Sequence, residues 1–67
     1  MFVYNKLWKL LIDKEMKKSD LRNVIAPVTV SKLSKNEYVS MEVLDKLCSF
    51  LNCDIGDIVE YRKVLKD

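Results

Sequence analysis

Residues 17–36 read KKSDLRNVIAPVTVSKLSKN. Leu21, Val24 and Ile25 stand at helical spacing and Val30 and Leu33 lie three positions apart, so two short helices can each turn an apolar side inward. Lys, Ser, Thr and Asn fill the outward positions. The pattern predicts two short helices meeting at a tight corner, the second presented to solvent.

Working outward, Asn5 reads as the N-cap of a helix over KLWKLLIDKEM, with Leu7, Leu10, Leu11 and Lys14 in line along one side. Trp8 reads as a partly buried anchor, since Trp is buried on average but rarely completely so. Residues 1–4 are apolar and too short to stand alone, and they can pair with another extended segment or simply pack. Ser19 reads as the cap of the next helix, with Asp20 in its first turn. Downstream, Ser40 caps MEVLDKLCSFLN, where Leu44, Leu47, Cys48 and Leu51 recur along one helical face and Val43 and Phe50 widen it. Asp54, with Asp57 three residues on, caps a last short helix that turns Ile55, Ile58 and Val59 inward. Capping also explains these two carboxylates more simply than catalysis. Residues 60–67 alternate charge with Tyr61, Val64 and Leu65; they can extend the last helix, fray, or join Phe2 and Val3 in a dimer contact.

Sixty-seven residues make one small domain, able to bury about 60% of its unfolded surface. At 49% hydrophobic and 33% charged, the balance is globular, and one Gly with one Pro favours short helices over turn-rich sheets. Net charge is only +2, but it is unevenly spread: residues 1–36 carry eight basic and three acidic side chains, residues 37–67 four and seven. A field this asymmetric steers an anionic partner to one face. There is no His, and Cys48 and Cys53 have neither the spacing nor the companions of a zinc site. Cys48 falls on the apolar stripe, so a reduced core thiol and a cytoplasmic home are expected. No apolar run approaches the length of a membrane span or a signal-peptide core.

Residues 17–36, the opening YNKLWKLLID, the following SKLSKNEYVSMEVLDKLC and LNCDIGDIVE together resemble the short single-domain Cro/C1-type helix-turn-helix regulators, over nearly the whole chain. The resemblance implies an all-α, compact five-helix lambda-repressor-like domain, its helix-turn-helix at about 18–35 and its tail at 61–67, with the third helix in the major groove of double-stranded DNA. Such regulators are often bacterial or phage proteins. The interval from Leu21 to Leu33 is twelve steps, two fewer than is usual in the family, and the usual turn Gly is missing. Aligned back from Leu33, Ala26 caps the third helix and Pro27 opens it, where a missing N–H costs nothing.

The same alignment puts Pro27, Val28 and Lys32 on the base-facing positions. Thr29, Ser31 and Lys35 flank them, while Lys17, Lys18 and Ser19 at the start of the second helix and Asn36 and Tyr38 after the third are placed at the phosphates. Tyr38 can alternatively pack its ring on the core. Lys32 can donate to guanine O6 or N7, and Val28 or Pro27 can touch a thymine methyl. This readout is thin, because Lys lacks the planar fork of Arg. The expected activity is sequence-specific DNA binding in transcriptional control, repression ahead of activation, with a homodimer offsetting the thin half-site. A second reading keeps the architecture as a protein-interaction module, drawn from the short corner and the apolar Pro27 and Val28. No catalytic group, cofactor, metal or small-molecule ligand is expected: nothing resembles a Gly-rich phosphate loop or a nucleophile beside a base.

Overall fold

The computed structural model describes residues 1–64; Leu65, grouped above with Tyr61 and Val64 in the tail, lies outside the described residues with Lys66 and Asp67. The order is β1 (Phe2–Val3), α1 (Asn5–Asp13), a first 3₁₀ helix (Lys18–Asn23), α2 (Pro27–Ser34), α3 (Met41–Leu51), a second 3₁₀ helix (Ile55–Asp57) and β2 (Glu60–Tyr61). Five helical segments are present, two of them wound as 3₁₀, beside one antiparallel strand pair in which Phe2 faces Tyr61 and Val3 faces Glu60. Of the options open to residues 1–4, pairing is realised. The tail supplies the partner strand instead of more helix.

Each α-helix buries one stripe, and the first 3₁₀ helix adds a single leucine. Leu7 and Leu11 of α1, Leu21 of the first 3₁₀ helix, Val30 and Leu33 of α2, and Leu44, Leu47 and Leu51 of α3 meet in one cluster, closed by Tyr4, Ile25 and Ile58. Leu10, Val24, Val43, Cys48, Phe50 and Val59 lie half-buried at its edge. Two inward assignments are corrected. Lys14 is exposed because it follows the last turn of α1 as its C-cap. Ile55 is 41% exposed: it stands at the outer start of its turn and lines a shallow hollow with Phe2, Tyr38 and Met41. Both cysteines are free thiols, half-buried, and the Cys53 thiol is pushed above its usual range, first by burial and then by Cys48 beside it.

Caps divide the same way. The Ser40 hydroxyl accepts from the Val43 N–H at 3.2 Å, Asp54 Oδ1 from the Ile55 N–H at 3.0 Å, and Asp57 Oδ2 from the Asp54 N–H at 2.9 Å. Asn5, however, is already helical, and Tyr4 occupies the α1 N-cap without a side-chain bond. Ser19 lies inside the first 3₁₀ helix, whose entry is set by Asp20 Oδ2 accepting from the Lys17 N–H at 2.8 Å. A carboxylate reaching back three residues therefore takes the capping role expected of the hydroxyl.

All three α-helices end alike. Met16 N–H donates to the Leu11 carbonyl at 2.8 Å, Glu37 N–H to that of Lys32 at 2.9 Å, and Cys53 N–H to that of Cys48 at 3.0 Å. In each case the residue before the donor is left-handed: Glu15 at φ 58°, Asn36 at 56° and Asn52 at 52°. This wrapped-back bond satisfies a terminal carbonyl, and the left-handed residue that permits it is usually Gly. Gly56, by contrast, has no positive φ, and a Cβ there would meet nothing within 4 Å. The backbone cost of a left-handed L-residue is roughly 1–2 kcal/mol, partly offset by the extra freedom Gly has when unfolded. Glu15→Gly is therefore expected to stabilise the domain by about 0.5 kcal/mol, and Gly56→Ala by about 0.4–1 kcal/mol. Each raises the melting temperature by a few degrees in circular dichroism; a fall for Glu15→Gly would reject the strain argument.

Candidate nucleic-acid interface

The corner is built from the first 3₁₀ helix, the connection through Val24, Ile25 and Ala26, and α2. A 3₁₀ helix rises about 2.0 Å per residue against about 1.5 Å for an α-helix. Six residues wound this way reach roughly 12 Å, as far as about eight α-helical ones. The first arm thus keeps the reach of a longer helix while the sequence is two residues short. Ile25 is buried beneath the turn, Ala26 is the extended N-cap, and Pro27 is the first residue of α2.

Burial of Val30 and Leu33 fixes how α2 is rotated, leaving Pro27, Val28, Ser31, Lys32, Ser34 and Lys35 exposed. Val28 is 64% exposed. Thr29 is half-buried and lines, with Arg22, Asn23, Pro27 and Lys46, an open hollow of about 460 Å³ at the start of α2. Among the described residues, ion pairs join Lys46 to Glu42 and Arg62 to Glu60, and none involves Lys17, Lys18, Arg22, Lys32 or Lys35. Asp20, the one acidic side chain in that stretch, has its carboxylate turned to the Lys17 N–H. The corner therefore presents five cations with little internal neutralisation. Arg22 was not singled out from sequence, although it is the only Arg inside the corner and can form the bidentate fork that Lys cannot.

Three of the sequence-assigned contacts have other work in the fold. Lys18 Nζ sits 4.2 Å from the centre of the Trp8 ring and donates to Ser34 Oγ at 3.2 Å. Asn36 is the left-handed residue that ends α2, and its Oδ1 accepts from the Tyr4 N–H at 3.2 Å. Tyr38 is 75% exposed and meets the Phe2 ring edge-on at 6.2 Å, so its ring packs on Phe2 and not in the core. Ser19 is exposed in the first 3₁₀ helix, and Lys17 extends from the residue before it.

Tyr4 completes a staple at the end of α2. Besides its N–H bond to Asn36, its hydroxyl donates to the Glu37 carbonyl at 2.8 Å, although Tyr4 itself is only 3% exposed. Burial, and then the nearby Tyr38, raise its phenol above the ordinary value of 10.0.

A family model described as the Cro/C1-type HTH DNA-binding domain matches residues 6–63. The chain also superposes on a crystal structure of the transcriptional regulator VanUg, form II, with a TM-score of 0.84 and 56% identity, over 88% of this chain and 81% of that one. Among curated proteins, none matches.

The staple predicts a pH response. A phenol held neutral by the fold contributes stability in full below the unfolded value near 10, and that stability is lost as pH rises through the higher folded value. Wild-type stability is expected to fall above pH 10 more steeply than that of Tyr4→Phe. At neutral pH the same variant is expected to lose about 1 kcal/mol, for the bond to Glu37. Denaturant midpoints measured from pH 7 to 11 check both; parallel profiles would mean the hydroxyl is not held.

Proposed function

The chain belongs to the Cro/C1-type helix-turn-helix DNA-binding family, and on that footing we propose that it is a transcriptional regulator reading specific duplex sequences with α2 in the major groove. The observation that carries this reading is the face of α2: Val28, Lys32 and Lys35 stand in solvent while Val30 and Leu33 anchor the helix from behind. Lys32 donates to guanine O6 or N7, and Pro27 and Val28 pack on thymine methyls. Lys17, Lys18, Arg22 and Lys35, with Thr29 and Ser31, engage phosphates and fix the register. Ala26 supplies no side-chain cap, Pro27 has no N–H and the Thr29 N–H is bonded to the Ala26 carbonyl, so in the first turn of α2 the Val28 N–H is the group left to an anion. Ser19 and Tyr38 extend the phosphate contact, whereas Asn36 serves it indirectly by ending α2.

Repression follows most simply from this arrangement, since a bound domain needs only to occupy duplex that another protein requires. Two copies related by a two-fold axis double a readout that one α2 carries thinly, on half-sites about one DNA turn apart. The exposed Phe2 and Tyr61 rings on the paired strands support such a contact. The comparison with VanUg, itself described as a transcriptional regulator, supports the regulatory role. The exposed Val28 is the observation that favours the rival reading, a protein-docking face.

Binding of the purified protein to pooled fragments of its source genome, beside an unrelated duplex of equal length, decides between them. Enrichment of a subset is expected, with log affinity falling against log salt by about 0.9 per phosphate neutralised. Lys35→Ala is expected to lower that slope by about one contact across all sequences, whereas Lys32→Ala lowers affinity about 5- to 150-fold on the enriched sites and relaxes their selectivity. If Lys32→Glu leaves duplex affinity unchanged, α2 does not read DNA and the docking reading takes its place.

A further inference from the structure

Trp8 and Lys18 lie on different elements, α1 and the first 3₁₀ helix, yet the Lys18 ammonium rests 4.2 Å from the centre of the indole ring. The same ammonium donates to Ser34 Oγ at 3.2 Å. Ser34 is in the last turn of α2, seven residues after Pro27 and hence on the same side of the helix. Its hydroxyl proton is already committed to the Val30 carbonyl at 3.2 Å, so its oxygen is left to accept and Lys18 is the donor. Three elements therefore converge on one charge.

A lysine ammonium has three N–H donors. One is used on Ser34, and the indole face attracts the charge through its ring quadrupole. The side chain is exposed, and no carboxylate pairs with it among the described residues. What remains is an ammonium fixed in place with donor capacity still directed to solvent. A free lysine loses rotamer entropy when it is immobilised; here much of that loss has occurred before any anion arrives.

We propose that Trp8 is a positioning residue for DNA binding: it does not touch DNA, but holds the Lys18 ammonium against Ser34 so that it meets a backbone phosphate at the Pro27 side of α2. The inference rests on the DNA-binding reading above. Preorganisation raises affinity by removing an ordering cost, so the ring acts only through Lys18.

The test is a double-mutant cycle on an enriched duplex, with the salt slope measured for each variant and thermal unfolding recorded alongside. Lys18→Met is expected to lower the slope by about 0.9. Trp8→Leu is expected to weaken binding about two- to five-fold while Lys18 is present, and to have no further effect when Lys18 is already Met. Trp8→Phe, which keeps a ring face, is expected to restore most of the loss. Equal effects of Trp8→Leu in both backgrounds would make Trp8 a packing residue and overturn the proposal. An unchanged slope for Lys18→Met, with wild-type binding intact, would overturn it while leaving the DNA-binding reading standing. Absence of salt-dependent binding by the wild type would remove both. Should Trp8→Leu melt too low to assay, Trp8→Met, which fills more of the space without a ring face, takes its place in the cycle: its loss must vanish in the Lys18→Met background.

Discussion

Three α-helices can share one small core only if the chain leaves each of them within a residue or two, because a gradual exit would carry the next helix away from the cluster. The reversal here is made three times by the same bond, from an N–H back to a carbonyl five residues earlier, over a left-handed Glu15, Asn36 or Asn52. Everything else hangs on these corners. They set where the first 3₁₀ helix begins, how the segment after α2 returns to α3, and how the second 3₁₀ helix folds onto the core. Asn tolerates the left-handed region better than most residues, which suits two of the positions. Glu15 has no such excuse, and its strain is borne by the burial of Leu11 and the packing of Met16.

The corner before α2 shows how a fold absorbs a short connection. With two residues fewer than usual between Leu21 and Leu33, an α-helical first arm would be cut short; 3₁₀ winding restores its length at the expense of hydrogen-bond geometry. The weaker ladder is compensated by contacts made from outside it. Asp20 closes its entry, Leu21 is completely buried, and Lys18 is tied to both Trp8 and Ser34. A short helix that is poor by itself becomes definite through what surrounds it.

Residues with one dominant physical option were legible in the sequence. Alignment with the family put Ala26 and Pro27 at the N-cap and first turn of α2, where Pro fits, Ser40 and Asp54 had helices directly after them, and the leucine stripes of α1 and α3 admitted one inward face. The errors fall where several options compete locally or a distant partner decides. Beside Ser19 a local rival prevails, since Asp20 caps in its place, and nothing near residues 1–4 says that Glu60 and Tyr61 will pair with them. That Asn36 is polar and follows α2 could be read, whereas its left-handed backbone and its bond to Tyr4, thirty-two positions away, are tertiary facts. The exposed lysines were readable as charges, whereas the capture of one of them by an indole from another helix was not.

The strand pair has a consequence for the order in which the molecule assembles. Phe2 and Val3 meet Tyr61 and Glu60 across nearly the entire chain, and closing so large a loop is entropically unfavourable unless intervening structure has already shortened it. The helices, whose contacts are local, come first, and the two ends meet last. Tyr4 follows directly on this late-forming strand and is the residue that secures the end of α2. The final turn of α2 is thus the part of the corner whose fastening waits on the strand pair.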